Sequence, residues 1–255
     1  MKICFATDVN YPNYTKRVQE NTLKDFLDRK LYNHDISYYI STNLPKDLER
    51  YDNVNNVRIF DINTLRASHS YSLEYELLPD DPTGIYPARY PWNLRRFVIE
   101  QAAKDGFDYI IYVDGDTVFH KHVETDKIVN AIIAKYEANT VKTNAAIFYY
   151  SKESNSEVFH LHQKYFDVLD RNFKDEELHT MDGPCMIFMG ETPENILELT
   201  NNWHKLSEFG YKKEFGFGYE SNFHGNLSFS IPMSNFKLKS ESYPFYPNHD
   251  PKDRY

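Results

Sequence analysis

Apolar runs and amphipathic stretches alternate along most of this chain. Residues 2–7 form a nearly continuous apolar run followed by polar residues and proline, which is typical of a strand covered on both faces in a parallel sheet. Between residues 14 and 31, leucines and a phenylalanine recur at helical spacing, which predicts a helix. Two further strands are predicted at 36–41 and 57–62, separated by a polar stretch.

The middle of the chain is predicted to begin with a loop, because residues 63–91 carry four prolines and a glycine. Pro91 then starts a helix whose apolar residues share one face, and Gly106 stands where a left-handed C-terminal cap is expected. A buried strand at 109–113 follows directly. The remaining predicted elements are a helix at 126–137, a strand at 145–150, a helix at 157–171, a strand at 185–189 and a helix from Thr192 to Gly210.

Strands that alternate with helices predict an α/β fold, with a mostly parallel central sheet flanked by helices. No repeat, low-complexity segment or linker divides the 255 residues, so we expect a single domain. A chain of this length buries about 70% of its unfolded surface without help from disulfides. Cys4 and Cys185 each lie in an apolar run, and we expect both to be free and buried in a reducing compartment.

Charge and hydropathy argue against two broad classes of protein. The chain carries 29 Lys+Arg against 38 Asp+Glu, a net charge of −9, which disfavours a sequence-blind binder of nucleic acid or anionic lipid. No apolar run reaches the roughly 18 residues needed to span a bilayer, and the N-terminal run is too short for a signal peptide. We therefore expect a soluble, cytoplasmic protein without a membrane partner.

Two carboxylates follow the buried strand 109–113 immediately, in the triplet Asp114-Gly115-Asp116. Open α/β sheets bind ligands at the carboxyl ends of their strands, so a ligand is expected at this edge. Residues two apart in an extended chain point the same way, and Gly115 permits a close approach. Because hard oxygen ligands favour Mg²⁺ or Mn²⁺, Asp114 and Asp116 are candidate ligands of such an ion. The alternative is a solvated acidic turn.

With this triplet in that place, the chain resembles the glycosyltransferases of the GT-A fold, whose signature is a D-x-D that ends a hydrophobic strand. The resemblance covers residues 2 to about 232. It implies a nucleoside-diphosphate sugar as donor, with a UDP-sugar favoured, and a metal on the D-x-D that grips the diphosphate. It also implies one Rossmann-like domain, with a nucleotide-sugar half at 1–119, an acceptor half at 120–240 and a C-terminal tail at 241–255 as a possible lid.

The same resemblance implies which residues hold the nucleoside. In this family the first strand and the loop after it face the nucleoside, which points to Thr7, Asp8 and Tyr11. Tyr11 would stack on the base, and an ordinary loop aromatic is the alternative. Asp114 belongs to the donor site as well, because it ends the metal strand.

A cation near the donor phosphates is also typical of these enzymes. Arg89 and Arg95 are the candidates, since both lie around the start of the helix before the metal strand. Arg95 and Arg96 point in directions about 100° apart on a helix, so at most one of the two reaches the site. The other is expected on a solvated face.

A residue that faces the acceptor is implied by Gly-Phe-Gly-Tyr-Glu-Ser at 216–221, which is similar to the aromatic-Gly-x-Glu-Asp segment of several GT-A families. The match is partial, because Ser221 replaces the second acid and Phe217 stands where Trp is usual. An inverting transfer needs a carboxylate to take the acceptor proton, and Glu220 is the first candidate. Asp182 is the second, and it can instead hold hydroxyls of the donor sugar. If configuration is retained, the departing phosphate takes the proton and Glu220 has a positioning role; a surface acid is the alternative.

A histidine from later in the chain commonly completes the metal site in this family. His224 lies four residues beyond Glu220, and His249 lies in a proline- and aromatic-rich tail. His249 is slightly favoured, because such tails often close over the donor in this fold. The alternative for each is a hydrogen-bonded surface histidine.

The acceptor is predicted from residues 205–239, where five lysines outnumber three glutamates although the whole chain is acidic. Aromatic side chains among lysines can hold an extruded base beside a phosphate backbone. The chain is rich in Asn, Lys and Tyr, which suggests an AT-rich genome such as that of many phages, and phages encode transferases acting on hydroxymethylated cytosine. The chain therefore looks like a phage-type DNA-modifying transferase acting on 5-hydroxymethylcytosine in the host cytoplasm. A saccharide or lipid-linked acceptor is the competing possibility.

Two other classes of function use the same kind of sheet. One is a nucleotide-sugar-binding protein without catalysis. The other is a nucleotidyltransferase, which usually has a Gly-rich, basic loop after the first strand to hold a triphosphate. Here the loop at 7–12 reads Thr-Asp-Val-Asn-Tyr-Pro, with neither a glycine nor a basic residue, so a nucleotidyltransferase is disfavoured.

Overall fold

Strands and helices alternate through the residues that the computed structural model describes, which are 2–9, 23, 35–54, 56–67, 91–113, 146–149, 182–189 and 193–211. In chain order the elements are β1 (Lys2–Val9), β2 (Asp35–Thr42), α1 (Pro45–Leu48), a 3-10 helix (Glu49–Tyr51), β3 (Val57–Asp61), α2 (Ile62–Ala67), α3 (Pro91–Lys104), β4 (Tyr109–Val113), β5 (Ala146–Tyr149), β6 (Asp182–Met189) and α4 (Pro193–Tyr211).

The strands form one sheet in the order β3-β2-β1-β4-β6-β5. Strand β1 lies between β2 and β4 and is parallel to both, and β3 adds a further parallel strand beside β2. Strand β6 runs antiparallel to both β4 and β5. The α/β fold with a mostly parallel sheet, predicted from the alternation of strands and helices, is therefore confirmed for the described part of the chain.

Side chains on both faces of the central strands are buried, which explains the nearly continuous apolar run of β1 and the unbroken one of β4. Cys4 and Ile110 point to one face and share a core with helices α3 and α4, to which Val98 and Trp203 contribute. The intervening residues of the two strands are buried as well. A strand covered on both faces has no polar side to present, so its sequence does not alternate.

Helix α3 begins and ends as the sequence predicts. Pro91 is its first residue, where a missing N–H costs nothing. Gly106 follows the helix with φ 78°, a left-handed conformation that favours glycine. Its N–H donates to the carbonyl of Ala103 (3.0 Å) and the N–H of Phe107 donates to that of Ala102 (3.3 Å), which is the Schellman pattern. This cap turns the chain from α3 into β4.

Three elements differ from the sequence prediction. Residues 62–67 form the helix α2, although the prediction had a strand ending at Ile62 and a loop after it. Helix α4 continues through Gly210 to Tyr211, because the roughly 1 kcal/mol cost of a glycine is small in a helix of 19 residues. Strand β6 begins at Asp182 rather than at Cys185, because its first residue pairs with Tyr149 of β5.

Several predicted elements lie outside the described residues. These are the helices at 126–137 and 157–171 and most of the helix at 14–31. From the last of these, Leu23 is described, and it is helical and fully buried. Among the helices that the structure describes, none is long and apolar enough to cross a membrane.

Cys4 is free and fully buried in β1, as predicted. Burial raises the pKa of its thiol well above the ordinary value, so the reactive thiolate is scarce at neutral pH. Cys185 lies in β6, and its side chain is outside the described part of the structure. Cys4 therefore acts as a small apolar residue of the core that α3 covers.

Tyr39 links β2 to Asp105, the residue after α3, through a part-buried hydrogen bond. Its hydroxyl donates to Oδ2 of Asp105 at 2.7 Å. Burial first, and then the bond and the charge of Asp105, raise the pKa of Tyr39 above its ordinary value of about 10. Because the folded pKa is raised, the stabilisation is complete below pH about 10 and is lost as the pH rises from there toward the folded value.

We therefore predict that Tyr39→Phe lowers the free energy of unfolding by about 1.5 kcal/mol at pH 7, since the lost bond is to a charged group. The difference between the variant and the wild type should shrink above pH about 10, because the phenyl ring of the variant has no proton to lose. Urea unfolding at pH 7, 9 and 10.5 measures this. A difference that stays constant or grows across that range contradicts the prediction.

Candidate functional site

The carboxyl ends of β1 and β4 lie side by side at one edge of the sheet. The two strands are parallel and adjacent, and their last register pair is Ala6 with Tyr112. From β1 the sheet extends through β2 and β3 in one direction and through β4 in the other, so the strand order reverses here. Open α/β sheets bind ligands at such a switch point. Asp8 lies two residues after Ala6 on β1. In the sequence, Asp114 likewise lies two residues after Tyr112.

Asp182 belongs to the same edge. Because β6 runs antiparallel to β4, with Cys185 paired to Val113, the beginning of β6 lies where β4 ends. Asp182 is the first residue of β6 and pairs with Tyr149, the last residue of β5. Backbone topology alone thus brings Asp8 and Asp182 to one edge of the sheet, although they lie far apart in the sequence.

The pairing of β6 with β5 is irregular near this edge. It changes from Phe148 with Met186 to Tyr149 with Asp182, which leaves Pro184 within an irregular stretch of the strand. Proline lacks a backbone N–H and is tolerated in a sheet at such irregularities. The Gly-Pro pair before Cys185 therefore marks a distortion inside the strand rather than its start.

Asp8 is held by a neighbour on β4. The hydroxyl of Tyr112 donates to Oδ1 of Asp8. The guanidinium of Arg95, on α3, lies over the ring of Tyr112 with Cζ at 5.2 Å from the ring centroid, a cation–π contact. Tyr112 and Arg95 are buried, whereas Asp8 is partly exposed. The Asp8 carboxylate is thus hydrogen-bonded to a buried tyrosine, whose ring contacts a buried arginine.

Two buried hydroxyls lie near the ends of β1 and β2. Oγ1 of Thr7 and Oγ of Ser41 are buried, and neither has a hydrogen-bond partner among the described residues. Ser41 is the register partner of Asp8, whereas Thr7, the residue before it, points to the opposite face of the sheet. Buried hydroxyls normally have a hydrogen-bond partner. Near this edge, these two can therefore each donate or accept a further hydrogen bond.

Arg95 and Arg96 contact different residues, as their divergence on α3 predicts. Arg95 lies against Tyr112, the last residue of β4 in register with β1. The expectation that the second arginine lies on a solvated face is wrong, because Arg96 is fully buried. The sequence 95–100 is buried throughout, since α4 and the sheet cover α3 from two sides.

A buried polar network replaces the solvated face that was expected for Arg96. Its Nε–H donates to Nδ1 of His204 on α4 at 2.6 Å. Nε2 of His204 lies 2.6 Å from Oε2 of Glu100, whose other oxygen is 2.5 Å from Nζ of Lys104. Because guanidinium can only donate, Nδ1 accepts and His204 donates to Glu100 through Nε2. The network joins α3 to α4.

Sequence reasoning missed this network. One part of it was predictable, because Glu100 and Lys104 lie four residues apart on one helix, a spacing that favours an ion pair. His204 was not, because it is separated from Arg96 by 108 positions, and neither residue stands in a motif.

The other predicted site residues lie outside the described residues: Tyr11, Arg89, Asp114, Asp116, Glu220, His224 and His249. Within the described ranges, no three His, Cys, Asp or Glu side chains are grouped so that they could hold a metal ion. Of the predicted site, the structure therefore describes the edge of the sheet, Asp8 with its contacts to Tyr112 and through it to Arg95, and the backbone position of Asp182.

No protein-family model matches this sequence, and neither does any curated protein. The fold and the residues at the edge define the class: an α/β protein with a mostly parallel sheet and acidic residues where the order of its strands reverses.

Proposed function

We propose that this chain is a metal-dependent glycosyltransferase of the GT-A fold, which moves a sugar from a nucleoside-diphosphate sugar to an acceptor hydroxyl. One observation carries the proposal. The strand that carries Asp8 near its carboxyl end and the strand that runs into Asp114-Gly115-Asp116 are parallel neighbours at the switch point of the sheet. This arrangement supports a nucleoside on one strand end and a metal-bound diphosphate on the next.

The divalent ion would be held by Asp114 and Asp116. Their donor set consists of carboxylate oxygens, which suit Mn²⁺ or Mg²⁺. When bound, the ion neutralises the charge that develops on the departing diphosphate. His249 or His224 would complete its coordination. Mutating each histidine to Ala and titrating Mn²⁺ separates the two, because unchanged metal affinity removes that histidine from the site.

The remaining residues bind and orient the two substrates. Thr7, Asp8 and Tyr11 would lie along the nucleoside, and UDP is the favoured diphosphate. Arg95 and Arg89 would place positive charge near the phosphates. Glu220 would accept the proton of the acceptor hydroxyl, with Asp182 as the second candidate or as a ligand of the donor sugar. The edge position of Asp182 supports either role, because β6 begins where β4 ends.

A screen of nucleotide-sugars tests the proposal. The purified chain is incubated with each donor in the presence of Mn²⁺, and slow hydrolysis of the donor is followed. Hydrolysis of one donor that EDTA abolishes is the expected result. Nucleotide affinity without hydrolysis or transfer would indicate a binding protein, and no nucleotide affinity at all would contradict both functions.

For the acceptor we propose 5-hydroxymethylcytosine in phage DNA, on the strength of the lysine- and aromatic-rich segment 205–239. The assay offers the active donor to a hydroxymethylcytosine-containing duplex, an unmodified duplex and free saccharides. Transfer to the modified duplex alone is expected. Transfer to a saccharide or lipid-linked acceptor instead would replace the DNA proposal and leave the transferase standing.

A further inference from the structure

Tyr112 connects the two strand ends that define the candidate site. It is the last residue of β4 in register with β1, and its side chain lies on the same face of the sheet as that of Asp8. Its hydroxyl donates to Oδ1 of Asp8, and the Arg95 guanidinium lies over its ring. Only 1% of Tyr112 is exposed, so water does not compete for this hydroxyl. The position of the Asp8 carboxylate is thus tied to the strand that leads into the metal triplet.

We propose that Tyr112 is a positioning residue, which fixes the Asp8 carboxylate in the orientation that receives the nucleoside of the donor; this role rests on the proposed function. A carboxylate bonded at one oxygen cannot rotate freely about its last torsion, so less freedom is lost when a ligand binds. Arg95 strengthens the effect, because a cation over the ring holds it in place.

The position of Asp105 and Tyr39 offers a matched comparison. Tyr39 also donates its hydroxyl to a carboxylate, that of Asp105, in a hydrogen bond that is part-buried like that of Tyr112, and it points to the same face of the sheet as Tyr112. Asp105 follows the C-terminal end of α3, however, whereas the Arg95 that contacts Tyr112 lies near its N-terminal end. Removing one hydroxyl from each tyrosine therefore separates an effect on the site from the general loss of a part-buried hydrogen bond.

The test measures binding by isothermal titration calorimetry in the presence of Mn²⁺. The wild-type chain is titrated with UDP, GDP, ADP and CDP, and the diphosphate that binds most tightly is carried forward together with inorganic pyrophosphate. Tyr112→Phe is expected to lower the affinity for the nucleoside diphosphate by about tenfold, which is typical of losing a hydrogen bond to a charged group. Pyrophosphate lacks a nucleoside, so its affinity should stay within about twofold. Tyr39→Phe should leave both affinities within about twofold.

A double variant shows whether Tyr112 acts through Asp8. Asp8→Asn should weaken the nucleoside diphosphate, since an amide is a poorer acceptor than a carboxylate. Adding Tyr112→Phe to Asp8→Asn should then lower the affinity by less than about threefold, because the two residues act as a unit. A further tenfold loss would show that Tyr112 acts independently of Asp8 and would overturn the proposal.

The outcomes separate this proposal from the function on which it rests. A wild-type chain that binds none of the four diphosphates contradicts the proposed function itself. The positioning role alone is wrong if the wild type binds the nucleoside diphosphate and Tyr112→Phe binds it equally well. It is also wrong if Tyr112→Phe loses affinity for pyrophosphate by the same factor as for the nucleoside diphosphate. Should Tyr112→Phe not fold, Asp8→Asn decides. Wild-type affinity in that variant leaves Tyr112 nothing to position, whereas a loss confined to the nucleoside diphosphate supports the role.

Discussion

Replacing Asp114 by Asn is expected to lower Mn²⁺-dependent hydrolysis of the donor by a factor of about 10³, which is typical of losing one group that stabilises transition-state charge. Asn keeps the size of the side chain but removes the negative charge that a hard divalent ion requires. Asp116→Asn should have an effect of the same order. The rate is measured with the best donor at saturating Mn²⁺, together with the Mn²⁺ dependence of the rate.

Asp108 provides a matched control at the other end of the same strand. It precedes β4, is exposed, and accepts a hydrogen bond from the backbone N–H of Lys2 at 2.8 Å. Asp108→Asn makes the same chemical change far from the switch point, so its hydrolysis rate should stay within about twofold of the wild type, as for surface substitutions in general. If Asp114→Asn and Asp108→Asn retain equal activity, the metal is not held by the D-x-D triplet and the proposed mechanism fails.

The elements that position the site were predictable because their sequence signals are local. Strand β1 is a nearly continuous apolar run and β4 a continuous one, and helix α3 has a proline at its start and a left-handed glycine after its end. In the sequence, only the GT-A resemblance pointed to Asp8. The parallel pairing of β1 and β4 places this residue at the carboxyl edge of the sheet.

The direction and extent of β6 were not predictable in the same way. An apolar run reads the same whether its strand is parallel or antiparallel, so nothing in residues 185–189 shows that β6 reverses. The Gly-Pro pair before them is typical of a turn, yet pairing with β5 extends the strand back to Asp182. Arg96 was misassigned for a related reason. Its partner His204 lies on α4, and pairing between distant helices leaves no periodic trace in the sequence.

The buried network around Arg96 is expected to contribute strongly to the free energy of unfolding. Replacing Glu100 by Gln should lower the free energy of unfolding by about 3 kcal/mol, a typical cost of removing one partner from a buried ionic network. The amide can still accept from His204, so the hydrogen bond is kept while the negative charge is lost. The fully buried Arg96 then donates to a histidine that is bonded to a neutral amide instead of a carboxylate. Urea unfolding at pH 7 measures the change through the midpoint at constant slope.

Lys104→Met is the control within the same network, because the Lys104 side chain is 43% exposed, so water takes over part of its interaction with the buried Glu100. It should cost no more than about 1 kcal/mol. A triple variant with Arg96→Met, Glu100→Leu and His204→Leu should recover most of the stability lost in Glu100→Gln, because apolar side chains of similar volume commonly replace a buried ionic network without loss. If Glu100→Gln unfolds at the wild-type midpoint, the carboxylate does not stabilise the junction of α3 and α4. If the triple variant is less stable than Glu100→Gln, apolar packing does not replace the network, and its hydrogen bonds stabilise the junction of α3 and α4.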